Sequence, residues 1–152
     1  MDNKENMITV QNAVKKYGKG ENELYALNHV DLNIGKGDIC VILGPSGSGK
    51  STLLNMLGGL DSLDEGNIMV DDVDITKLGR KELVEYRRKK IGVVFQSYNL
   101  IAELNVQENI RVVQDISENP LPIEELLKDL GLAQHAKHFP TELSGGQQQR
   151  VS

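Results

Sequence analysis

The chain has 152 residues, the size of one ordinary domain, and 39% of them are apolar, so it can bury a core. Its formal net charge of −5 argues against non-specific binding to nucleic acid, because such binding needs a basic face. There is no run of about 18 apolar residues, and Asp2, Lys4 and Glu5 interrupt the N-terminus. We therefore expect neither a membrane-spanning helix nor a secretory signal.

The first part of the chain is predicted to form three strands, of which the third is buried on both faces. Residues 7–17 and 26–34 alternate apolar and polar side chains, and the polar segment 18–22 joins them. The apolar, β-branched stretch 38–43 follows a turn and predicts a buried parallel strand. Cys40 within that stretch is predicted to be a small buried hydrophobe.

Residues 44–51 read Gly-Pro-Ser-Gly-Ser-Gly-Lys-Ser and match the phosphate-loop pattern G-x-x-x-x-G-K-[ST]. Glycines in this pattern let consecutive N–H groups converge on an anion, and a helix predicted from Ser51 to Leu57 points its N-terminus at the same place. The motif predicts a nucleoside-triphosphate site, with ATP and Mg²⁺ as the expected cofactors. The residues predicted to bind the nucleotide are Gly44, Pro45, Ser46, Gly47, Ser48, Gly49, Lys50, Ser51 and Thr52.

Two side chains of this loop have specific predicted roles. Lys50 should reach the β- and γ-phosphate oxygens. The Ser51 hydroxyl should ligate Mg²⁺, a hard ion that prefers oxygen.

The middle of the chain is predicted to mix short strands and helices. Residues 67–75 form a strand pair with Asp71 and Asp72 in the turn, and residues 81–90 form a helix whose basic end, 87–90, suits a helix C-terminus. Residues 91–95 predict a buried strand. Helices are then predicted over 106–115 and 123–130. The second of these begins after Pro122, carries Glu124 and Glu125 in its first turn and ends at Gly131.

Gln96 directly follows the predicted strand 91–95. Its side-chain amide could contact Mg²⁺ or an attacking water, or it could simply be a polar residue at a strand end. Tyr98, Leu100 and Ile101 predict an exposed apolar stretch, of the kind that usually marks a partner. His135 and His138 have the spacing of a metal pair, but Ala136 and Pro140 break a helical pattern there and no further ligand is suitably placed, so we predict no metal site.

A second motif, Leu143-Ser144-Gly145-Gly146-Gln147, opens a predicted helix near the end of the chain. Alone, such a stretch is most often a flexible turn or a helix N-cap. Following a phosphate loop by about a hundred residues, it resembles the signature of ATP-binding-cassette (ABC) ATPases, and the resemblance covers essentially the whole chain. Within the family, the features that look most like the lipoprotein-release, macrolide-export and antimicrobial-peptide-resistance branch are Leu60-Asp61, Gly66, Tyr98-Asn99-Leu100 and Glu108-Asn109.

The resemblance implies an α/β fold, the P-loop NTPase fold of an ABC nucleotide-binding domain. Residues 1–95 would hold the antiparallel β subdomain and the mixed ATP-binding core. Residues 96–152 would hold the glutamine loop and part of the α-helical subdomain with the signature. After the signature, the family continues into a strand ending in Asp-Glu and then a switch histidine. The chain ends at Ser152, so we expect a C-terminally truncated domain that lacks the Walker B aspartate and the catalytic glutamate.

The resemblance also assigns roles. Tyr17 would stack on adenine, with Tyr25 as the rival candidate, and Gln96 would be the glutamine that positions water and Mg²⁺. Ser144, Gly145, Gly146 and Gln147 would contact the ATP bound by the opposite subunit, so function would need a homodimer or heterodimer.

The implied function is the ATP-binding subunit of an ABC transporter. It would be cytoplasmic and would dock on membrane permease chains that select the substrate. The alternatives are an ATP-binding fragment without turnover and a soluble ABC ATPase outside transport.

Overall fold

The computed structural model describes residues 5–152, so the expectation about the N-terminus that rests on Asp2 and Lys4 lies outside the described residues. The chain divides into two compact units, the first ending at Arg87 and the second comprising Arg88–Ser152. The predicted functional division between residues 95 and 96 stays a prediction. Each unit is described separately below.

The first unit contains a four-stranded antiparallel sheet in the order β2-β1-β3-β4. Its strands are β1 (Asn6–Tyr17), β2 (Leu24–Gly35), β3 (Glu65–Val70) and β4 (Val73–Asp74). The helices are α1 (Lys50–Leu57) and α2 (Arg80–Lys90), of which α2 continues past the unit boundary. The alternating pattern of the sequence therefore correctly predicted the β1–β2 hairpin, because one face of each strand packs on the core.

One turn and one bulge of this sheet depend on left-handed backbone. Asp71 and Asp72 have φ angles of 48° and 62° and link β3 to β4, which confirms the predicted hairpin turn. In β1 the pairing register shifts around Asn12, which has a φ of 50°. Gly66 of β3 lies against this bulge, and a Cβ there would come within 2.3 Å of the Asn12 carbonyl oxygen. The bulge can exist only because residue 66 is glycine.

The core of the first unit lies between the sheet and the helices, and α2 completes the end of α1. Val10, Ile68 and Met56 are each 1% exposed. Tyr86 of α2 donates its hydroxyl to the Leu57 carbonyl at 2.6 Å, and Arg87 donates to the Gly59 carbonyl at 2.6 Å. The first bond satisfies the carbonyl group of the last residue of α1, and the second holds the chain just after the helix end.

Two predicted buried strands are wrong. Residues 38–43 and 91–95 have no strand structure, and side chains that were expected to be buried are exposed, for example Ile39 at 95% and Val94 at 70%. Cys40 is also exposed and not buried. Both stretches have the composition of parallel strands, but neither pairs with a described strand of the antiparallel sheet. Composition sets the tendency of a segment to form a strand, whereas pairing needs a neighbouring backbone.

The second unit is helical, with α3 (Val106–Gln114), α4 (Ile123–Asp129) and α5 (Gly145–Val151). Its core consists of buried aliphatic side chains of these helices and their connections: Val106, Ile123, Leu127, Leu132 and Leu143. Gly131, with a φ of 66°, follows α4 as predicted, and the Leu132 and Gly131 amides donate to the Leu127 and Lys128 carbonyls. Throughout residues 5–152, no helix combines the length and the apolar character needed to cross a membrane.

Candidate nucleotide-binding site

The phosphate loop adopts a conformation that requires glycine at two positions. Gly47 and Gly49 have φ angles of 78° and 85°, in the left-handed region. A Cβ on Gly49 would lie 2.2 Å from the carbonyl oxygen of Ala26 in β2, so any side chain would push the loop off the sheet. A Cβ on Gly44 would lie 2.6 Å from the Ser48 hydroxyl oxygen. The glycines thus allow a loop that is tight on itself and close to β2.

Helix α1 begins directly after this loop and presents free backbone donors. Gly49 is its N-cap and supplies no side-chain acceptor. The amides of Lys50, Ser51 and Thr52, in the first turn, have no acceptor within the helix. Together with the positive end of the helix dipole, they form a cradle suited to an anion. A phosphate group therefore fits the residues present.

Lys50 folds back over its own loop. Its ammonium group donates to the carbonyl oxygens of Gly44 at 2.9 Å and Pro45 at 2.7 Å, and to the Ser48 hydroxyl at 3.3 Å. An ammonium group has three protons, so all three are directed at the loop. The contact with Ser48 is the longest, and it is the one that a phosphate oxygen could replace at the smallest cost.

Ser51 places an exposed hydroxyl one residue into α1. Among residues 5–152, no group of three or more His, Cys, Asp or Glu side chains could hold a metal ion. A divalent ion here would therefore have to combine the Ser51 oxygen with phosphate oxygens and water, which suits Mg²⁺ because it keeps several waters when bound.

The two candidate stacking residues have different surroundings. Tyr17 is 43% exposed, and its hydroxyl donates to Asp61 at 3.0 Å while the Lys15 ammonium lies 5.3 Å from its ring centroid. The Lys16 ammonium lies 4.7 Å from the ring centroid of Tyr25. Both rings are partly exposed next to a cation.

Asp61 organises the polar contacts beside Tyr17. Partial burial alone would raise the pKa of its carboxyl group, but hydrogen bonds from Lys15, the Ser62 amide and Tyr17 outweigh this effect and hold the pKa below its usual value. Lys15 itself is buried, and it also donates to the Ser62 carbonyl at 2.7 Å.

Gln96 and the segment that follows it lie in the second unit. Gln96 is exposed, and it follows an irregular stretch where a strand end was expected. The predicted exposed apolar stretch is only partly exposed: Tyr98 and Leu100 are half-buried, and Ile101 is 43% exposed. The Tyr98 hydroxyl lies near Gly145, 3.6 Å from where a Cβ on that glycine would be.

Asn109 of α3 fixes the end of this segment, a role that the sequence pattern did not reveal. Its side-chain oxygen accepts from the Ile101 amide at 2.8 Å. Its side-chain nitrogen donates to the carbonyls of Ile101, Leu104 and Asn105 at 3.1, 2.8 and 3.1 Å. One amide side chain therefore closes the loop 101–105. Neither periodicity nor capping rules predict such a contact.

The signature motif forms the start of α5 through a capping box. The Ser144 hydroxyl accepts from the Gln147 amide at 3.4 Å, and the Gln147 side-chain oxygen accepts from the Ser144 amide at 2.8 Å. Ser144, Gly145 and Gly146 are exposed, and Gln147 is half-buried. The hydroxyl proton of Ser144 is not used by the capping box, so it is available to an acceptor outside the motif.

His135 and His138 contact each other, and His135 also contacts the signature motif. Their Nδ1 atoms are 2.9 Å apart, and the Gln147 side-chain nitrogen lies 3.0 Å from His135 Nε2. The three-residue spacing of His135 and His138, which is also that of a metal-binding pair, thus brings the two rings into a hydrogen bond. The contact with Gln147, twelve residues away, has no sequence signal that could have predicted it.

Comparisons with known proteins agree with this geometry. The ABC transporter family profile matches residues 27–152. The macrolide export ATP-binding/permease protein MacB of Mannheimia succiniciproducens is 42% identical over an alignment of 152 positions, and the match covers 97% of this chain and 24% of that protein. The ABC transporter ATP-binding protein YtrE of Bacillus subtilis is 42% identical over an alignment of 156 positions, gaps included, and the match covers 96% of this chain and 67% of that protein.

A solved structure with the same fold is the dimeric post-hydrolysis state of the ATP-binding cassette MJ0796, bound to ADP and phosphate. It has a TM-score of 0.85 and 42% identity, and the match covers 95% of this chain and 66% of that chain. This likeness confirms the predicted fold of an ABC nucleotide-binding domain. The chain spans about a quarter of the length of the MacB protein that it matches.

Proposed function

We propose a function that starts from family membership: the chain belongs to the ABC transporter family, and it serves as the ATP-binding part of a transporter. In that role it couples the binding and hydrolysis of ATP to movement of a substrate across the membrane through a permease. One observation carries the proposal, namely the phosphate loop with its left-handed glycines, its uncapped helix N-terminus and Lys50 in one place.

ATP with Mg²⁺ is the ligand that this loop would hold. Lys50 would exchange its contact with Ser48 for β- and γ-phosphate oxygens, and the amides at residues 47 and 49–52 would bind the remaining charge. Ser51 would hold Mg²⁺, which supplies charge neutralisation for the phosphates. Pro45 and Ser46 complete the exposed rim of the loop.

The remaining roles rest on the family resemblance and on exposure. Tyr17 presents a partly exposed ring for stacking on adenine. Gln96, by the family resemblance, would contact Mg²⁺ or the attacking water, and its side chain is exposed. Ser144, Gly145, Gly146 and Gln147 would contact the ATP held by a second nucleotide-binding domain, so that two domains form two sites. The dimeric state of MJ0796 supports this arrangement.

The partner outside the dimer would be a permease, and the chain would lie in the cytoplasm at the inner face of the membrane. The relatives MacB, an ATP-binding/permease protein, and YtrE, an ABC transporter ATP-binding protein, support a transporter over a soluble ABC ATPase that acts elsewhere. The alternative is a chain that binds ATP without turning it over.

Calorimetric titration with ATP and Mg²⁺ tests the placement of the site. We expect Lys50→Ala to abolish or severely weaken binding, because a charge-assisted contact is worth about 1.5–3 kcal/mol. Lys36→Ala is the matched control, since Lys36 is an exposed lysine outside the loop. Circular dichroism should verify that both variants fold. Equal affinity of Lys50→Ala and the unsubstituted protein would refute the placement.

A further inference from the structure

We propose that His135 is a positioning residue for the signature motif: it holds the Gln147 side chain in the capping box of α5, and His138 accepts the Nδ1 proton of the tautomer in which it does so. The functional part of this inference rests on the proposed function, because the signature matters only if two domains close over ATP. The structural part rests on contacts within the second unit alone.

The hydrogen-bond roles follow one from another. The Gln147 side-chain oxygen accepts from the Ser144 amide, so its nitrogen is the atom that faces His135. That nitrogen is only a donor, and His135 Nε2 must therefore be the acceptor. His135 then carries its proton on Nδ1 and donates it to His138 Nδ1, 2.9 Å away. His138 in turn carries its proton on Nε2. Only this pair of neutral tautomers completes the relay.

The histidine pair is fixed in place by the backbone around it. The Val106 amide donates to the His138 carbonyl and the Gln107 amide donates to the Ala136 carbonyl, both at 2.9 Å. The first turn of α3 therefore anchors the segment between the two rings. Both rings are half-buried, with centroids 4.9 Å apart and planes tilted by 56°. His135 is thus a rigid acceptor and not a mobile surface side chain.

Loss of this acceptor would release one end of Gln147. The Gln147 side chain would then be held only by the Ser144 amide, and the rotamers open to solvent would compete with the capping box. Ser144 and the residues after it would lose a fixed geometry at the point where the second domain's nucleotide is expected. The role of His135 is therefore to orient the motif, not to touch the ligand.

The first test is nuclear magnetic resonance of ¹⁵N-labelled histidine in the full-length protein near neutral pH. We expect His135 protonated on Nδ1 and His138 on Nε2. A neutral histidine side chain without hydrogen-bond partners prefers to carry its proton on Nε2. Detection of the Nδ1-protonated form of His135 therefore supports the relay. A proton on Nε2 of His135 would overturn the inference, whatever the protein does with ATP.

The second test measures ATP affinity by calorimetry and ATP-dependent association by analytical ultracentrifugation. We expect His135→Phe to weaken association about five- to tenfold, the effect of one lost hydrogen bond between neutral groups, with ATP affinity unchanged. His135→Gln retains an acceptor and should restore most of the loss, which a purely steric role would not allow. His29→Phe, in the exposed part of β2, is the control.

The outcomes separate the two proposals. If the unsubstituted protein neither binds ATP nor associates, the proposed function fails, and the tautomers still decide the structural inference. If it binds and associates, and His135→Phe does so equally well, His135 is not a positioning residue. If His135→Phe does not fold, the inference is judged on His135→Gln and on the tautomer of His135 in the unsubstituted protein, where a proton on Nε2 would contradict it.

Discussion

The hydrogen bond between Tyr86 and Leu57 gives a sharp test of how α2 supports α1. Tyr86 is 8% exposed, and its hydroxyl lies 2.6 Å from the carbonyl oxygen of Leu57, the last residue of α1. Tyr86→Phe keeps the ring and removes only the donor. The buried carbonyl then lacks its partner, which costs about 1–3 kcal/mol of unfolding free energy.

Urea unfolding followed by circular dichroism measures this change. Tyr25→Phe is the matched control, because Tyr25 is 46% exposed and its hydroxyl is not buried in this way. We expect the control to change the unfolding free energy by less than about 0.5 kcal/mol. Equal midpoints for Tyr86→Phe and Tyr25→Phe would refute the assignment of stability to this contact.

The same contact predicts a pH dependence. Burial raises the pKa of Tyr86 from 10.0 to about 12. A raised folded-state pKa stabilises the protein fully below the unfolded-state pKa, and this contribution disappears as the pH rises through about 12. Between pH 10.0, the usual pKa of tyrosine, and about pH 12, the unfolding free energy of the unsubstituted protein should therefore fall more steeply with pH than that of Tyr86→Phe. Identical slopes would show that the Tyr86 hydroxyl titrates as it does in water.

Three further predictions concern other parts of the chain. Because the pKa of Asp61 is lowered in the folded state, its contribution to stability is present above about pH 4 and is lost as the pH falls through the folded-state pKa. Asp61→Asn should therefore make the unfolding free energy fall less steeply with pH in the acid range. An unchanged dependence on pH in that range would contradict this. Single cysteines at 98–104, in a Cys40→Ser background, should cross-link to a permease in the full-length protein, and Asn109→Ala should lower the yield because it opens the loop; cross-links from other faces only would count against this loop. The 152-residue chain alone should show no appreciable steady-state phosphate release. Its candidate pairs of acids lie in a hairpin turn (71–72) and in the first turn of α4 (124–125), and not at the end of a strand as the resemblance implies for the catalytic carboxylate. Turnover at the rate of the full-length protein would place a catalytic carboxylate elsewhere.

Features that depend on local chemistry were predictable from the sequence. The phosphate loop, the hairpin turn at Asp71 and Asp72, and the end of α4 at Gly131 each depend on residues within a few positions of one another. The family, and with it the fold, could be inferred from two motifs in the correct order. Local rules sufficed because backbone conformation and capping are decided by neighbouring residues.

Features that depend on distant partners were not predictable. Residues 38–43 and 91–95 were expected to be buried strands because of their composition, but burial requires a neighbouring strand that composition cannot supply. The Asn109 clamp and the contact of His135 with Gln147 also join residues without any periodic relation. They were missed for the same reason, since each is a property of packing and not of pattern.

Gly66 makes evolutionary change at its own position in β3 depend on residues 11–12 of β1. Its absent side chain is what lets the Asn12 bulge of β1 stand opposite β3, and β1 is bonded to strands on both sides. A side chain at 66 would displace the carbonyl groups of Gln11 and Asn12, so the disturbance would reach β2 as well as β3. In evolution, a substitution of Gly66 could therefore be tolerated only after a substitution at residues 11–12 had removed the bulge. The close approach of the two backbones sets the order of these two substitutions.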